Sequence, residues 1–374
     1  MRTALRHILL SLLLLLILSG CNVHEWPSPS STVSVRLQLT FATDMILWEQ
    51  HYDADNDAST SSSSTSGSLY DNRLSRGEMR YVVRAYPTDG NQQRSSRSHS
   101  EEYVFIKDIT DGYDHEVHLD LPSGDYDIMV WADLSEQSGA PSLYDATHFD
   151  KIVLREGLHP GNTDYRDAFR GTGHLSLTTD CMERPAETLH IAMERPLAKY
   201  EFISGDVVEF IKKESLRIAS KSNAEHRPGA DLPDGSRAIN IEDYRVRFYY
   251  TSHMPDSYNM FTDKLSGSTK GISYETRLRR LNSQEASMGF DYVFINGKES
   301  AVTVRIAVYD SEGTELSVTD EIEVPIKRNH HTVMSGEFLT AEAGGGITIS
   351  PDYDDDHNIL FTPKKKTTKN PTKE

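Results

Sequence analysis

From Val33 to Phe338 the apolar residues recur at every second position in short runs, and few folds accept a chain patterned that way. Val33, Val35, Leu37, Leu39 and Phe41 alternate with Ser34, Arg36, Gln38 and Thr40. A period of two with one wet face marks a half-buried strand of an antiparallel sheet. The same reading predicts strands at 80–86, 102–109, 116–121, 126–133, 174–177, 189–193 and 196–203. A second series is expected at 244–250, 290–295, 301–309, 321–326 and 332–338. Pro122-Ser123-Gly124-Asp125 predicts a hairpin between its flanking strands, and Asn296-Gly297 and Asp310-Ser311-Glu312-Gly313 predict further turns. The stretch 135–170 is rich in Gly, Pro, Asp and Tyr and reads as irregular. One short helix is expected, capped by Ser204, with Val207, Val208, Phe210 and Ile211 at helical spacing before Lys212 and Lys213. Many short strands and almost no helix imply an all-β fold of β-sandwich type, and 374 residues suffice for two such domains in tandem.

The N-terminus sets the expected location. Arg2 and Arg6 precede an apolar run, Ile8 to Leu18, too short to span a bilayer comfortably, and then Leu18-Ser19-Gly20-Cys21. This is the pattern of a bacterial lipoprotein signal, with cleavage between Gly20 and Cys21 and lipidation at the Cys21 thiol. Several acyl chains on one residue hold more firmly than a single chain. Asn22 is not acidic, which is compatible with the outer membrane and leaves open whether the body faces periplasm or exterior. The expected organisation is a signal at 1–20, a Pro- and Ser-containing tether at 21–32, and an N-terminal sandwich at 33–195. Within that first sandwich lies a serine-rich loop, 53–75. A C-terminal sandwich at 196–343 and a segment with a lysine-rich tail at 344–374 complete the chain. With Cys21 acylated, Cys181 has no partner, so stability is expected from packing and not from a disulfide.

Little in the rest of the chain names a reaction. Its formal net charge is −18 and becomes two units more negative once Arg2 and Arg6 leave, which opposes binding of phosphate backbones and makes nucleic acid an unexpected partner. No Gly-x-Ser-x-Gly elbow and no phosphate-binding glycine loop occurs, since Gly344 to Gly346 precede strand-like residues. His330 and His331 lie adjacent, so in a strand they point to opposite faces and do not share an ion. The acidic run from Asp352 to Asp356 lacks the glycine and terminal glutamate of a calcium loop. No catalytic residue, cofactor or metal is therefore expected. Tyr144, Tyr165, Tyr258, Tyr274 and Tyr353 sit among Asp and Ser and are candidates for a contact surface. Trp131 falls on the face of its strand opposite to Tyr126, Ile128 and Val130, as if to pack against a neighbouring loop.

Several segments resemble a lipoprotein family of Bacteroidales. They are Cys21-Asn22-Val23-His24-Glu25-Trp26-Pro27, the stretch from Asp164 to Gly171, and Met193 to Tyr200. Tyr258 to Asp263, Gly289 to Gly297 and Gly336 to Thr340 are similar to it as well. That family is a domain of unknown function akin to the anchor subunits of fimbrillin-type, or type V, pili. The resemblance implies two transthyretin-like (immunoglobulin-like) sandwiches, no enzyme activity, and subunits that join by lending a strand to a neighbour's groove. Only Cys21 carries a family role residue by residue. The expected function is an outer-membrane lipoprotein acting as a structural, adhesive, fimbrial anchor-like subunit that binds pilin-like partners by strand-edge contacts. The alternative is a carbohydrate-binding surface lipoprotein of a glycan-uptake system.

Overall fold

The computed structural model describes residues 32–42, 46–49, 77–88, 101–136, 140–155, 159–178, 187–225 and 239–341. The expected signal, the tether before Thr32, the serine-rich loop and the C-terminal tail lie outside these residues. The first half runs β1 (Thr32–Phe41), β2 (Ile46–Glu49), β3 (Glu78–Pro87), β4 (Glu101–Asp108) and β5 (His115–Pro122). It continues with β6 (Gly124–Ser135), β7 (Tyr144–Asp145), β8 (Ile152–Leu154), β9 (Ala168–Leu177) and β10 (Glu187–Met193). The second half opens with β11 (Leu197–Ser204), helix α1 (Val207–Glu225), β12 (Arg245–Tyr250), β13 (Met254–Asn259), β14 (Lys264–Thr269) and β15 (Ser273–Arg277). It closes with β16 (Arg279–Arg280), β17 (Ala286–Phe294), β18 (Glu299–Tyr309), β19 (Glu315–Val318), β20 (Ile322–Lys327) and β21 (His330–Gly336).

The fold is all-β, as the alternation predicts. In the first sandwich the sheet β10-β1-β5 faces the sheet β4-β3-β6-β9. Val33, Val35, Leu37 and Leu39 of β1 meet Tyr81, Val83, Ile128, Val130 and Leu134 in a core that excludes water. β1 lies in the middle of its sheet, antiparallel to β5 and parallel to β10. In the second sandwich β16-β17-β11-β21-β2 faces β15-β12-β18-β19, with β20 also on β18. Tyr200, Phe202, Phe248, Val304 and Val308 fill that core, and α1 adds Phe210, whose ring meets Tyr244 edge-on at 5.0 Å. The two halves interlock. β2 from the first half joins the second sandwich beside β21. A further sheet, β14-β13-β8-β7, draws strands from both halves, with Val153 opposite Ser257 and Ile152 opposite Tyr258.

Three local readings differ from the structure. The strands flanking Pro122–Asp125 do not form a hairpin: β5 pairs with β1 in one sheet while β6 pairs with β3 and β9 in the other. Turn chemistry and alternation are the same for a hairpin and for an arch between two sheets over one core, so local signals did not separate them. The stretch 135–170 is less irregular than expected, since it holds β7, β8 and the start of β9. The helix runs 19 residues, beyond Lys213, through exposed positions such as Leu216 and Lys221 that lack an apolar rhythm but have good helix propensity. Ser204 does not cap it. Its hydroxyl accepts from the N–H of Phe338 at 2.9 Å, and Asp206 occupies the position before the helix.

Candidate functional site

Between the sandwiches lies a third apolar cluster, built from the outer faces of both. Val82, Met129 and Trp131 project from the first, Leu197, Phe290, Tyr292 and Phe294 from the second, and Tyr144, Phe149, Ile152 and Tyr258 from the mixed region between. Trp131 is fully buried, with Tyr144 edge-on at 5.5 Å and its indole N–H donating to Asp133 at 2.7 Å. This burial explains why β11 and β17 are covered on both faces along their whole length.

Beside this cluster, residues 159–166 plug the mouth of the second sandwich. Gly161 lies so close to Tyr274 that a Cβ there would fall 2.2 Å from a ring atom, so only glycine fits. Arg166 donates to Asp291 Oδ1 at 2.5 Å and to the Tyr292 carbonyl at 2.7 Å. The Tyr250 hydroxyl donates to Asp291 Oδ2 at 2.5 Å, and His159 Nε2 lies 2.9 Å from the same oxygen. The N–H of Tyr292 also reaches Oδ1 at 2.8 Å. With His159 protonated at Nε2, four donors use the lone pairs of the Asp291 carboxylate. Burial alone would raise the Asp291 pKa, but Arg166 and His159 outweigh it and hold the group below the usual carboxylate range. Burial also pushes the Tyr250 and Tyr274 hydroxyls well above their ordinary values, so both remain donors. An arginine, a histidine, an aspartate and tyrosines together look like acid–base machinery, yet a base needs a free lone pair facing a substrate. Here the aspartate is saturated and its side chain has no exposed surface. The constellation is a clamp.

A second polar knot lies nearer the surface. Asp263 accepts from Arg328 at 2.8 Å, from Tyr258 and from Arg170. Burial opposes its ionisation, but these three donors prevail and set its pKa to about 2. Arg195, at the expected domain boundary, donates to both oxygens of buried Asp167 at 2.9 Å and stacks its guanidinium on Phe169.

The first sandwich is closed on one side and open on the other. On the β9 side, Arg170 and Glu194 exchange two backbone hydrogen bonds at 2.8 Å, which link the start of β9 to the chain leaving β10. On the other side, β4 and β5 are the last strands of their sheets. Among the described residues, side chains reach across this gap: Lys107 donates to the carbonyl of Asp114 at 2.5 Å and the Tyr103 hydroxyl to that of Asp120 at 3.3 Å. The two edges are defended differently. β5 turns Glu116, His118 and Asp120 outward, and such charges discourage pairing. β4 turns Val104 and Ile106 outward, 53% and 59% exposed, with Glu102 held by Arg84 at one end. Its outer backbone edge has no strand partner among the described residues.

Cys21 and Gly20 lie outside the described residues, as does Tyr353. Tyr144, Tyr258 and Tyr274 are buried, and Tyr165 packs against the first core, so these tyrosines do not form a contact surface. Their Asp- and Ser-rich surroundings suggested loops, whereas the mixed sheet and the clamp take them inside. His330 and His331 diverge as alternation requires: one meets the Arg328 carbonyl at 2.8 Å, and the other lies 3.4 Å from Glu201. No helix among the described residues is long and apolar enough to cross a membrane.

A family model described as a family of unknown function, DUF6562, matches residues 30–372. The chain belongs to that family. No curated protein matches this DUF6562 chain. Among solved structures, the fimbrial anchor protein Mfa2 from Porphyromonas gingivalis is 12% identical, with a TM-score of 0.35, covering 77% of this chain and 82% of that one. A fimbrial assembly protein from Parabacteroides distasonis is 11% identical with a TM-score of 0.31, covering 81% and 90%. A candidate adhesin from Bacteroides ovatus is 10% identical with a TM-score of 0.38, covering 79% and 82%.

Proposed function

We propose that this chain is an outer-membrane lipoprotein, anchored through Cys21, which serves as a structural and adhesive anchor-like subunit and not as an enzyme. Partner subunits add a strand to β4. The observation that carries this reading is the open edge of β4, with Val104 and Ile106 exposed beside a backbone edge that pairs on one side only. Main-chain hydrogen bonds along such an edge supply affinity, and the alternating side chains fix register. The entry of the chain suits anchoring. The tether leads into β1, which is paired with β5 from Thr32 to Leu39 and with β10 from Val35 to Phe41, so tension on the lipidated end loads many hydrogen bonds together instead of peeling them singly. The clamped seam would pass that load to the second sandwich without a hinge.

The test is co-purification from detergent extracts of the native host. The Val104→Lys/Ile106→Lys variant is expected to fold, remain in the membrane fraction and lose pilin-like partners that the unaltered protein retains. Equal recovery of those partners by both proteins would overturn the β4 assignment. Cys21→Ala is expected to move the protein to the soluble fraction, and unchanged fractionation would remove the anchor.

A further inference from the structure

The outward face of the β15-β12-β18-β19 sheet has a composition at odds with the rest of the molecule. Inward positions Val246, Phe248, Val304, Ile306 and Val308 belong to the core. Outward positions form three rows by strand register. The first holds Ser273, Tyr249 and Arg305; the second Glu275, Arg247, Ala307 and Val318; the third Arg277, Arg245, Tyr309 and Glu315. On these four strands four guanidiniums thus face two carboxylates, while β20, beside the other end of β18, adds Glu323 opposite Thr303 and a Lys327–Glu299 pair, on a chain whose formal net charge is −18.

The pairing within the face is incomplete in a particular way. Glu275 is shared by Arg245 and Arg247, each at 3.3 Å. Among the described residues, Arg277 and Arg305 have no carboxylate partner within 4.0 Å. Arg305 instead stacks over the Tyr249 ring, its guanidinium carbon 5.0 Å from the ring centre. Tyr249 and Tyr309 lean toward each other, hydroxyl to hydroxyl at 3.0 Å, and Tyr309 continues to Glu315 at 3.1 Å. Ala307 lies in the row between them and is fully buried despite its outward register, so the rings form a roof where a larger residue would hold them apart. The result is a rigid platform about 14 Å across the strands, with two half-exposed rings and guanidiniums at its rim.

We infer that this face binds an anionic polysaccharide, one whose carboxylates or sulfates are spaced along a sugar chain. Pyranose C–H faces lie on tyrosine rings, and the planar guanidinium forks take the anions bidentately. A nucleic acid fits less well: duplex DNA presents a charge about every 1.7 Å, and a few guanidiniums interspersed with Glu275, Glu315 and Glu323 do not match that density. The overall negative charge of the molecule does not prevent binding, because at physiological ionic strength charges beyond about 8 Å are largely screened. The site is on the opposite sandwich from β4, so it is independent of the strand-edge proposal.

Biosensor titration of the mature chain against chondroitin sulfate, polygalacturonate and neutral dextran tests the assignment. At least one polyanion is expected to bind, dextran is not, and binding should weaken as salt rises. Arg305→Gln and Tyr249→Ala should each weaken binding by about tenfold, while Glu116→Gln on the distant strand β5 leaves it unchanged. Both face substitutions are at the surface, and unchanged circular dichroism and melting would show that they fold. Failure of both polyanions to bind, equal binding of dextran, or undiminished binding by an Arg247→Gln/Arg305→Gln variant would overturn the inference. So would tighter binding of duplex DNA, or of a peptide carrying Asp352 to Asp356.

Discussion

Along the seam, Trp131, Tyr144, Tyr258 and Phe294 pack ring to ring, and the buried Asp291 and Asp167 carboxylates accept from Arg166 and Arg195, with only the Arg166 Nε left without a partner among the described residues in that pair of clamps. Along β4, Val104, Ile106, Glu102 and Lys107 line an edge whose outer backbone has no strand partner among the described residues. Both regions mix apolar and charged residues. They differ in whether bonding capacity is already consumed inside the chain, and that separates a region that holds the fold together from one suited to holding something else.

The largest expected effect breaks the seam. Trp131→Ala removes the centre of the interdomain cluster and leaves the Asp133 carboxylate without its indole donor, so roughly 3–5 kcal/mol should be lost in urea unfolding. Asp291→Ala strands the buried Arg166 guanidinium and should cost about 3 kcal/mol or more by the same measurement. A near-neutral result for both would mean that the halves are stable apart and the seam is incidental. A milder probe is acid. The folded Asp263 pKa of about 2 lies below the unfolded carboxylate value of about 3.9, so its contribution is complete above that value. It should disappear as pH falls from about 4 to about 2. Asp263→Asn should flatten that part of the stability–pH curve, and an unchanged curve would deny Asp263 a role. The smallest effect on stability is expected at the edge: Val104→Lys with Ile106→Lys should shift unfolding by within about 0.5 kcal/mol while removing partner binding. A large stability loss there would place β4 with the seam.

Several features of this contrast are legible in the residues themselves. Alternation from Val33 to Phe41 predicts β1, and Trp131 on the face opposite Ile128 and Val130 signals a second contact surface for β6. Other features are hidden. Tyr144, Tyr258 and Tyr274 have loop-like neighbours, yet strands more than 100 residues apart in sequence join to bury the first two. Tyr249 and Tyr309 alternate in strands like any outward residue, and only the register of β12 on β18 brings their hydroxyls together. Asp291 lies between Phe290 and Tyr292 in a run of residues buried on both faces, so periodicity gives no sign that its carboxylate meets a histidine and an arginine from the other half.

By itself, then, the sequence determined the period of the side chains, and through it an all-strand body with one helix, since burying alternate residues admits no other regular backbone. The expectation of lipidation at Cys21 comes from the sequence as well. Only the tertiary structure decided which strands share a sheet, that β5 and β6 arch between sheets instead of pairing, and that β4, with Val104 and Ile106 exposed, has no second strand partner among the described residues. The reason is that strand pairing is a contact between distant segments. Its hydrogen bonds involve backbone groups identical at nearly every residue, so their partners are chosen by how the whole set of faces packs.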